Sequence, residues 1–182
     1  MSDLIPVRWT FYITPWQLKL KYLVNQLISI RTWSKYSHCE AWVPLPPRCF
    51  GVTHEGTAYA GTSYTSTMRG KANGTVSRDA SGVYDHPDRW VYVETMLTQV
   101  QYDCLIGVMD IAVAHNKGYA TKDIMKFLVP FYDNDEERFI CSEFCNDMAV
   151  IIELITGKGI VSPQAFLNKL CALRLTIKPM KG

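Results

Sequence analysis

Apolar and polar positions alternate along much of the first half of the chain, as is typical of β-strands. Strands are predicted at residues 7–13, around His38, and at 50–53, 57–65, 75–78 and 89–96. After the first strand, Thr14 and Pro15 predict the start of a helix that continues to about Ile30. Its apolar stripe suits packing against the core. Since its charges are all basic, the same helix also suits a membrane surface.

The second half of the chain has the spacing of apolar residues that is typical of helices. Helices are predicted at 97–114, from 121 or 123 to 130, from 141 to the glycine at 157, and from 163 to about 172, followed by a strand at 173–177. These patterns predict an α+β fold in which an antiparallel sheet of about four to six strands packs against a helical half. No repeat or linker divides the chain, so we expect a single domain over residues 1–182.

Small, polar and basic residues dominate residues 66–81. This composition predicts a solvated loop that contains only the short strand at 75–78. The alternative is a lid that covers a substrate, because long loops in compact domains often carry function.

The composition is that of an ordinary globular protein: 48% of the 182 residues are hydrophobic, 20% are charged, and the net charge is +2. With no long basic run, this charge gives no reason to expect nucleic acid as a partner. No apolar run reaches the roughly 20 residues of a membrane span. Residues 1–6 lack the basic region and apolar core of a signal peptide, so we expect synthesis in the reducing cytosol.

Six cysteines in a chain of this length do not predict a disulfide framework. Zinc is an alternative, because His38, Cys39, Cys141 and Cys145 could cluster. The two cysteines of the helix match the usual ligand spacings poorly, so we expect no metal and no other cofactor. Cys145 lies one helical turn after Cys141 and suits packing, with a resolving thiol in a redox pair as the alternative.

Cys141 is the candidate nucleophile because it begins a helix whose apolar face includes Phe144 and Met148. The first turn of a helix carries unpaired N–H groups and the positive end of the macrodipole, and both favour a thiolate. Ser142 and Glu143 suit the same turn. A buried structural cysteine is the alternative, since Cys is among the residues that are most often buried.

His38 is the candidate base, on a strand that places His38, Glu40 and Trp42 on one face and Cys39, Ala41 and Val43 on the other. A third polar group is expected to fix the imidazole tautomer, and Glu40 is our candidate. Residues two apart lie about 7 Å apart along a strand, so contact is expected only through bent geometry or water. Alternatives in the following region are His54, Glu55, Thr62 and Ser63.

Three residues are predicted to bind substrate. Trp42 shares the face of His38, Ser63 belongs to a polar strand that is suited to lining a cleft, and Ser142 follows the candidate nucleophile. His86 and His115 fall in a turn and at a helix end, where solvation or capping is the expected role.

The segments Ser37-His-Cys-Glu40 and Phe139-Ile-Cys-Ser-Glu-Phe144, in this order, resemble the circularly permuted NlpC-like branch of the papain-like hydrolases. This branch includes YiiX-type bacterial proteins, phage-encoded relatives and, more distantly, lecithin:retinol acyltransferase. Ordinary papain-like enzymes have Cys before His, and the permuted group inverts the order. The resemblance covers roughly residues 8–155. It implies a permuted papain-like fold with Cys141 as nucleophile and His38 as base.

By this resemblance the protein is expected to be a thiol amidase or peptidase that acts on a cell-wall peptide, with a lipid acyl group as the other substrate class. The phage-encoded relatives favour peptidoglycan. The competing class is a structural or interaction protein of a virion or envelope assembly that keeps the fold. The uncertain third residue and the aromatic, Pro-rich residues 42–50 motivate it.

Overall fold

Six strands form one antiparallel sheet at the centre of the protein. The computed structural model describes residues 4–15, 23–44, 61–67, 73–84, 86–116, 118 and 140–180. Within them the strand order across the sheet is β4-β3-β2-β1-β5-β6, and every neighbouring pair is antiparallel. The strands are β1 Ile5–Ile13, β2 Tyr36–Pro44, β3 Gly61–Thr67, β4 Gly74–Asp79, β5 Trp90–Leu97 and β6 Ile177–Pro179. The expected α+β class with an antiparallel sheet is confirmed.

Five helices accompany this sheet in the described residues: α1 Leu23–Arg31, α2 Ala80–Val83, α3 Gln99–Ala114, α4 Cys141–Ile151 and α5 Pro163–Ala172. A 3₁₀ turn covers Pro87–Arg89. Side-chain caps explain three of the starts. At α2 the Asp79 carboxylate accepts a hydrogen bond from the Ser81 N–H. Thr98 accepts a hydrogen bond from the Gln101 N–H at α3, and Ser162 accepts one from the Ala165 N–H at α5. None of the described helices is long and apolar enough to span a membrane.

The two faces of the sheet bury different sets of side chains. Because successive residues of a strand point to opposite faces, β2 directs Cys39, Ala41 and Val43 into the larger core, which α3, α4 and α5 share. On the other face Trp42 joins a smaller aromatic cluster with Tyr12, Ala80, Tyr84, Trp90 and Met180. The predicted alternation along the His38 strand is confirmed. As a result, the two faces near His38 have different chemistry.

The predicted strand at 173–177 is wrong for most of its length. The N–H groups of Leu173 and Arg174 donate to the carbonyls of Leu170 and Cys171, so the end of α5 uses these backbone groups. Strand β6 starts only at Ile177, where pairing with Val93 of β5 begins. The apolar alternation of this segment therefore misplaced the strand by several residues.

The prediction for 66–81 is confirmed for the short strand at 75–78, and it is wrong at 66–67 and 79–81, which belong to β3, β4 and α2. Ser66 and Thr67 belong to β3, and β4 covers Gly74–Asp79 where only 75–78 was expected. The two strands pair from Thr62–Asp79 to Thr67–Gly74, and this pairing gives the segment a regular structure that its composition did not predict. The predicted elements at 16–22, 50–53, 57–60 and 121–130 lie outside the described residues.

Candidate active site

Strand β2 is irregular at the end that carries His38. Tyr12 of β1 is opposite His38, but Ile13 is opposite Tyr36, so Ser37 is an extra residue and forms a β-bulge. Bulges bend a strand locally and redirect the neighbouring side chains. The hydroxyl of Ser37 is buried and has no hydrogen-bond partner among the described residues. The bulge therefore leaves an unsatisfied polar atom beside the candidate base.

The pairing of β2 with β3 also stops short of His38. The pairs run from Pro44–Gly61 to Ala41–Tyr64. Beyond them the Thr65 hydroxyl donates a hydrogen bond to the Cys39 carbonyl at 3.0 Å. Helix α4 contacts both strands. The interrupted ladder gives the first turn of α4 access to backbone and side chains that a continuous pair of strands would occupy.

Cys141 is the first residue of α4, and the extended residue Ile140 precedes it as the N-cap. The predicted helix start is therefore confirmed. The N–H groups of a first helical turn have no partner within the helix, and the macrodipole adds positive potential there. Cys141 lies within the larger core, where it is 4% exposed. This position favours a thiolate and supplies N–H donors beside it.

Cys141 and His38, which lie far apart in sequence, are in hydrogen-bonding contact. The Nε2–H of His38 donates to Glu40 Oε1 at 3.0 Å, so Nδ1 is the ring nitrogen that remains for the thiol. His38 is also 4% exposed. The imidazole therefore lies between a thiol and a carboxylate, in the order that nucleophile, base and orienting group require.

Glu40 contacts His38 directly beside the β-bulge at Ser37, so of the two expected routes the contact uses irregular strand geometry and needs no bridging water. The two long side chains cover the distance between alternate residues of the strand. Glu40 also accepts a hydrogen bond from Arg78 Nη2 at 2.5 Å and one from the Ser63 hydroxyl. Burial raises the pKa of the Glu40 carboxyl, but the bonds and charges of His38 and Arg78 and the Ser63 bond outweigh it and lower that pKa. Glu40 is therefore ionised at neutral pH.

Two more hydroxyls lie around Glu40 without bonding its carboxylate: they contact its backbone and Ser63. Thr10 donates to the Glu40 carbonyl at 3.2 Å, and the Tyr84 hydroxyl lies 3.0 Å from Thr10 Oγ1 and 3.3 Å from Ser63 Oγ. Burial, followed by the charge of Glu40, raises the pKa of Tyr84. Tyr84 thus stays neutral and can donate to either hydroxyl. The composition of the segments that carry Arg78 and Tyr84 gave no sign of this role.

The thiols of Cys39, Cys141 and Cys145 form a cluster in which Cys39 lies between the other two. Cys39 makes side-chain hydrogen bonds with Cys141 and Cys145. The bond from the Cys39 thiol is the largest influence on Cys141 and lowers its pKa. Burial opposes this effect, and the charge and hydrogen bond of His38 reinforce it. Burial and the bonds to the other two thiols raise the pKa of Cys39, so Cys39 remains a neutral donor.

Sequence reasoning missed Cys39 as a site residue, although a signal was available. Cys39 lies on the apolar face of β2, and Cys141 and Cys145 lie one turn apart on the buried face of α4. Cys145 itself is buried, as expected of a packing residue, and burial raises its pKa. No group of three or more His, Cys, Asp or Glu side chains among the described residues is arranged to hold a metal ion.

Replacing Cys39 with alanine is expected to raise the pKa of Cys141 by about one unit, because a hydrogen bond to the thiolate is lost. Cys39→Ser keeps a donor and should restore most of the shift. The pH dependence of alkylation at Cys141 measures both values. Cys145→Ala is the control, because it removes the other thiol that bonds to Cys39 but keeps Cys39 itself. A profile that moves in the Cys145 variant but not in Cys39→Ala would contradict the assignment.

The structure buries all three side chains that were predicted to bind substrate. Ser63 donates to Glu40, and the Ser142 hydroxyl donates to the Val161 carbonyl at 2.5 Å. Trp42 packs against Tyr84 with ring centroids 5.4 Å apart and carries the Arg8 guanidinium over its ring. Their contact with a substrate stays a prediction. Of the alternatives to Glu40, His54 and Glu55 lie outside the described residues.

The assembled groups can perform acyl transfer at a thiol. A thiolate, an imidazole held in one tautomer by a buried carboxylate, and N–H groups in the first turn of a helix are the parts that such a reaction needs. No model of a known protein family matches the chain, and comparison with curated proteins finds no match.

Proposed function

We propose that the protein is a cysteine hydrolase in which Cys141 is the nucleophile, His38 the general base and Glu40 the residue that orients the base. The continuous contact from the Cys141 thiol through His38 to Glu40 carries this proposal. A structural cysteine needs neither an ionised carboxylate behind a histidine nor a lowered pKa.

The reaction follows from the position of each group. His38 takes the thiol proton at Nδ1, and the thiolate of Cys141 attacks the carbonyl carbon of an amide or ester. N–H groups of the first turn of α4 stabilise the oxyanion. His38⁺ then protonates the leaving amine or alcohol, which leaves a thioester on Cys141. Water, deprotonated by His38, hydrolyses this thioester and frees the thiol.

The substrate class that we propose is the amide bond of a cell-wall peptide, and the proposed family is the permuted NlpC-like branch. The order of the two motifs, with the His strand before the Cys helix, supports the family. A six-stranded antiparallel sheet packed against helices is compatible with a permuted papain-like fold. A phage-encoded protein with this activity would act on peptidoglycan. A lipid acyl ester is the second class to assay.

A role as a structural or interaction protein of a virion or envelope is the competing proposal. The burial of Cys141 and His38 favours it, because a substrate needs a path to the thiol. In that case Cys141→Ser leaves the biological role intact. Loss of the role in a variant that is folded as well as the wild type would reject this proposal.

Acylation of the purified protein tests the hydrolase directly. A soluble activated ester should acylate Cys141 and release one equivalent of alcohol in a burst, followed by slow turnover. Peptide mapping by mass spectrometry locates the acyl group. Cys141→Ser should abolish the burst, whereas Cys104→Ser, which removes an exposed thiol, should not. Peptidoglycan fragments and a phospholipid are then compared as substrates. Equal acylation of Cys141 and Cys171 at neutral pH would reject an activated thiol.

A further inference from the structure

Helix α1 and the turn after it present large apolar side chains to solvent. Leu27 is 40% exposed, Ile30 56% and Trp33 95%. The opposite side of α1 is packed against the protein, since Ile28 and Ser29 are buried. A spacing of three residues makes Leu27 and Ile30 neighbours on the helix surface, and Trp33 follows in the turn after the helix end. We call Leu27, Ile30 and Trp33 the apolar ridge.

Trp33 is held in a backbone conformation that a bulky residue seldom adopts. Its φ of 48° lies in the left-handed region, where glycine or asparagine is the usual residue after a helix. The N–H of Ser34 donates to the Ser29 carbonyl at 2.9 Å, which closes the helix end around Trp33. The indole is thereby projected into solvent from a fixed turn, and no packing of the described residues accounts for it.

The chain around the apolar ridge is basic. Between Thr14 and Ser37 the sequence contains Lys19, Lys21, Arg31 and Lys35 and no acidic residue, although the whole chain has a net charge of only +2. Lys35 is exposed and follows Trp33 by two residues. An exposed apolar surface with a tryptophan, in a segment whose charged residues are all basic, is complementary to a bilayer with anionic headgroups.

The turn that carries Trp33 is firmly attached to the domain. The Thr14 N–H donates to the Lys35 carbonyl at 2.8 Å, and the Ser34 hydroxyl donates to Gln164 Oε1 at 3.1 Å. His38 follows Lys35 by three residues, or about 10 Å along an extended chain. A surface bound at the apolar ridge would therefore lie beside the sheet end that holds the Cys141–His38 pair.

We propose that the apolar ridge docks the protein onto an anionic phospholipid surface. Ile30 and Trp33 enter the boundary between headgroups and acyl chains, while the exposed Lys35 contacts the headgroups. Charge complementarity favours this occupant over an apolar protein partner. The docking does not depend on the proposed hydrolase, because it uses none of the candidate site residues.

Vesicle co-sedimentation tests the docking. The full chain should bind vesicles of phosphatidylcholine with 30% phosphatidylserine, a fraction of about one third chosen to give a strong surface charge. Pure phosphatidylcholine should bind far less, and added salt should weaken the anionic binding. The double variant Ile30→Ser, Trp33→Asn should reduce the partition coefficient roughly tenfold or more. Asparagine tolerates the left-handed backbone of the turn, so this variant should keep the wild-type melting temperature.

The matched control is Val100→Ser with Ile111→Ser, which removes two exposed apolar residues from α3. This variant should bind like the wild type, as should Cys141→Ser, which separates docking from the proposed chemistry. Failure of the wild type to bind anionic vesicles overturns the proposal. So does unchanged binding by the ridge variant. A wild-type dimer that the ridge variant converts to monomer, without vesicle binding, would assign the surface to a second copy instead.

Discussion

Replacing Glu40 with glutamine is expected to lower the free energy of unfolding by about 3 kcal/mol at pH 7. The buried carboxylate accepts hydrogen bonds from His38, Arg78 and Ser63, and a neutral amide leaves the Arg78 charge without a counter-ion among the described residues. The loss should fall near the lower end of the range for a broken buried ion pair, because the Arg78 side chain is 30% exposed and keeps contact with water. Urea denaturation of wild type and variant measures the difference.

The same contribution should disappear in acid. The pKa of Glu40 is lowered in the folded protein, so its stabilising effect is fully present above the ordinary value of 4.5. It is lost progressively as the pH falls through the lowered pKa. The difference between wild type and Glu40→Gln should therefore be constant from pH 6 to 7, which lies roughly two units above that value, and should shrink below about pH 4.

Glu94→Gln is the matched control for Glu40→Gln. Glu94 also lies on a central strand and pairs with an arginine, Arg8, at 2.7 Å, but its side chain is 22% exposed. Its partner Lys178 is about half exposed. An ion pair of this kind contributes about 1 kcal/mol or less. Equal losses of unfolding free energy in the two variants would show that the buried Glu40 carboxylate stabilises the fold no more than a partly exposed one does.

Replacing His38 with alanine is expected to slow the alkylation of Cys141 by iodoacetamide roughly 10- to 100-fold at pH 7. The variant removes the charge and the hydrogen bond that His38 directs at the thiol. The pKa of Cys141 should rise, so the rate profile should move to higher pH. The hydrogen bond from Cys39 remains in this variant, so the pKa of Cys141 should not rise all the way to that of an ordinary thiol. Mass-resolved labelling of each cysteine across pH 6–9 measures the profile, a range of about three units that spans the ordinary thiol pKa.

Two controls separate a chemical role of His38 from a structural one. His115→Ala removes a histidine that bonds only the carbonyl of Ile111 among the described residues, at 2.9 Å, and should leave the profile unchanged. Added imidazole should restore part of the Cys141 rate in His38→Ala, since it can occupy the space of the lost ring. The rate at Cys104, an exposed thiol, serves as the internal reference. No change at Cys141 in the His38 variant would contradict the activated pair.

Local pattern was enough to predict the two ends of the candidate site. The helical period after Cys141 located the start of α4, and the strand period located His38, because both signals depend on neighbouring residues. The same alternation predicted that Cys39 and His38 point to opposite faces of the sheet. Most strand and helix positions in the described residues followed from such periods, with errors at 66–67, 79–81 and 173–176, and at the end of α4, which stops at Ile151 and not at the glycine at 157.

The residues that support Glu40 could not be predicted in this way, because their positions depend on strand order. Ser63 lies beside Trp42 in the sheet, and Arg78 lies beside Ser63 on β4. Nothing in the sequence near Arg78 or Tyr84 indicates which strand lies two positions away across the sheet. The direct bond between Glu40 and His38 likewise depends on side-chain reach, which a backbone spacing does not give.

The thiol contact between strand β2 and helix α4 also has a practical consequence. The groups that lower the pKa of Cys141 lie on β2, far from α4 in the sequence, and only tertiary packing brings them together. In a molten state, secondary structure persists while such packing is lost. Fast labelling of Cys141 would then fall to the rate of an ordinary buried or solvated thiol while the far-UV spectrum stayed almost unchanged. The labelling rate of Cys141 would therefore report whether the tertiary structure of the whole protein has formed.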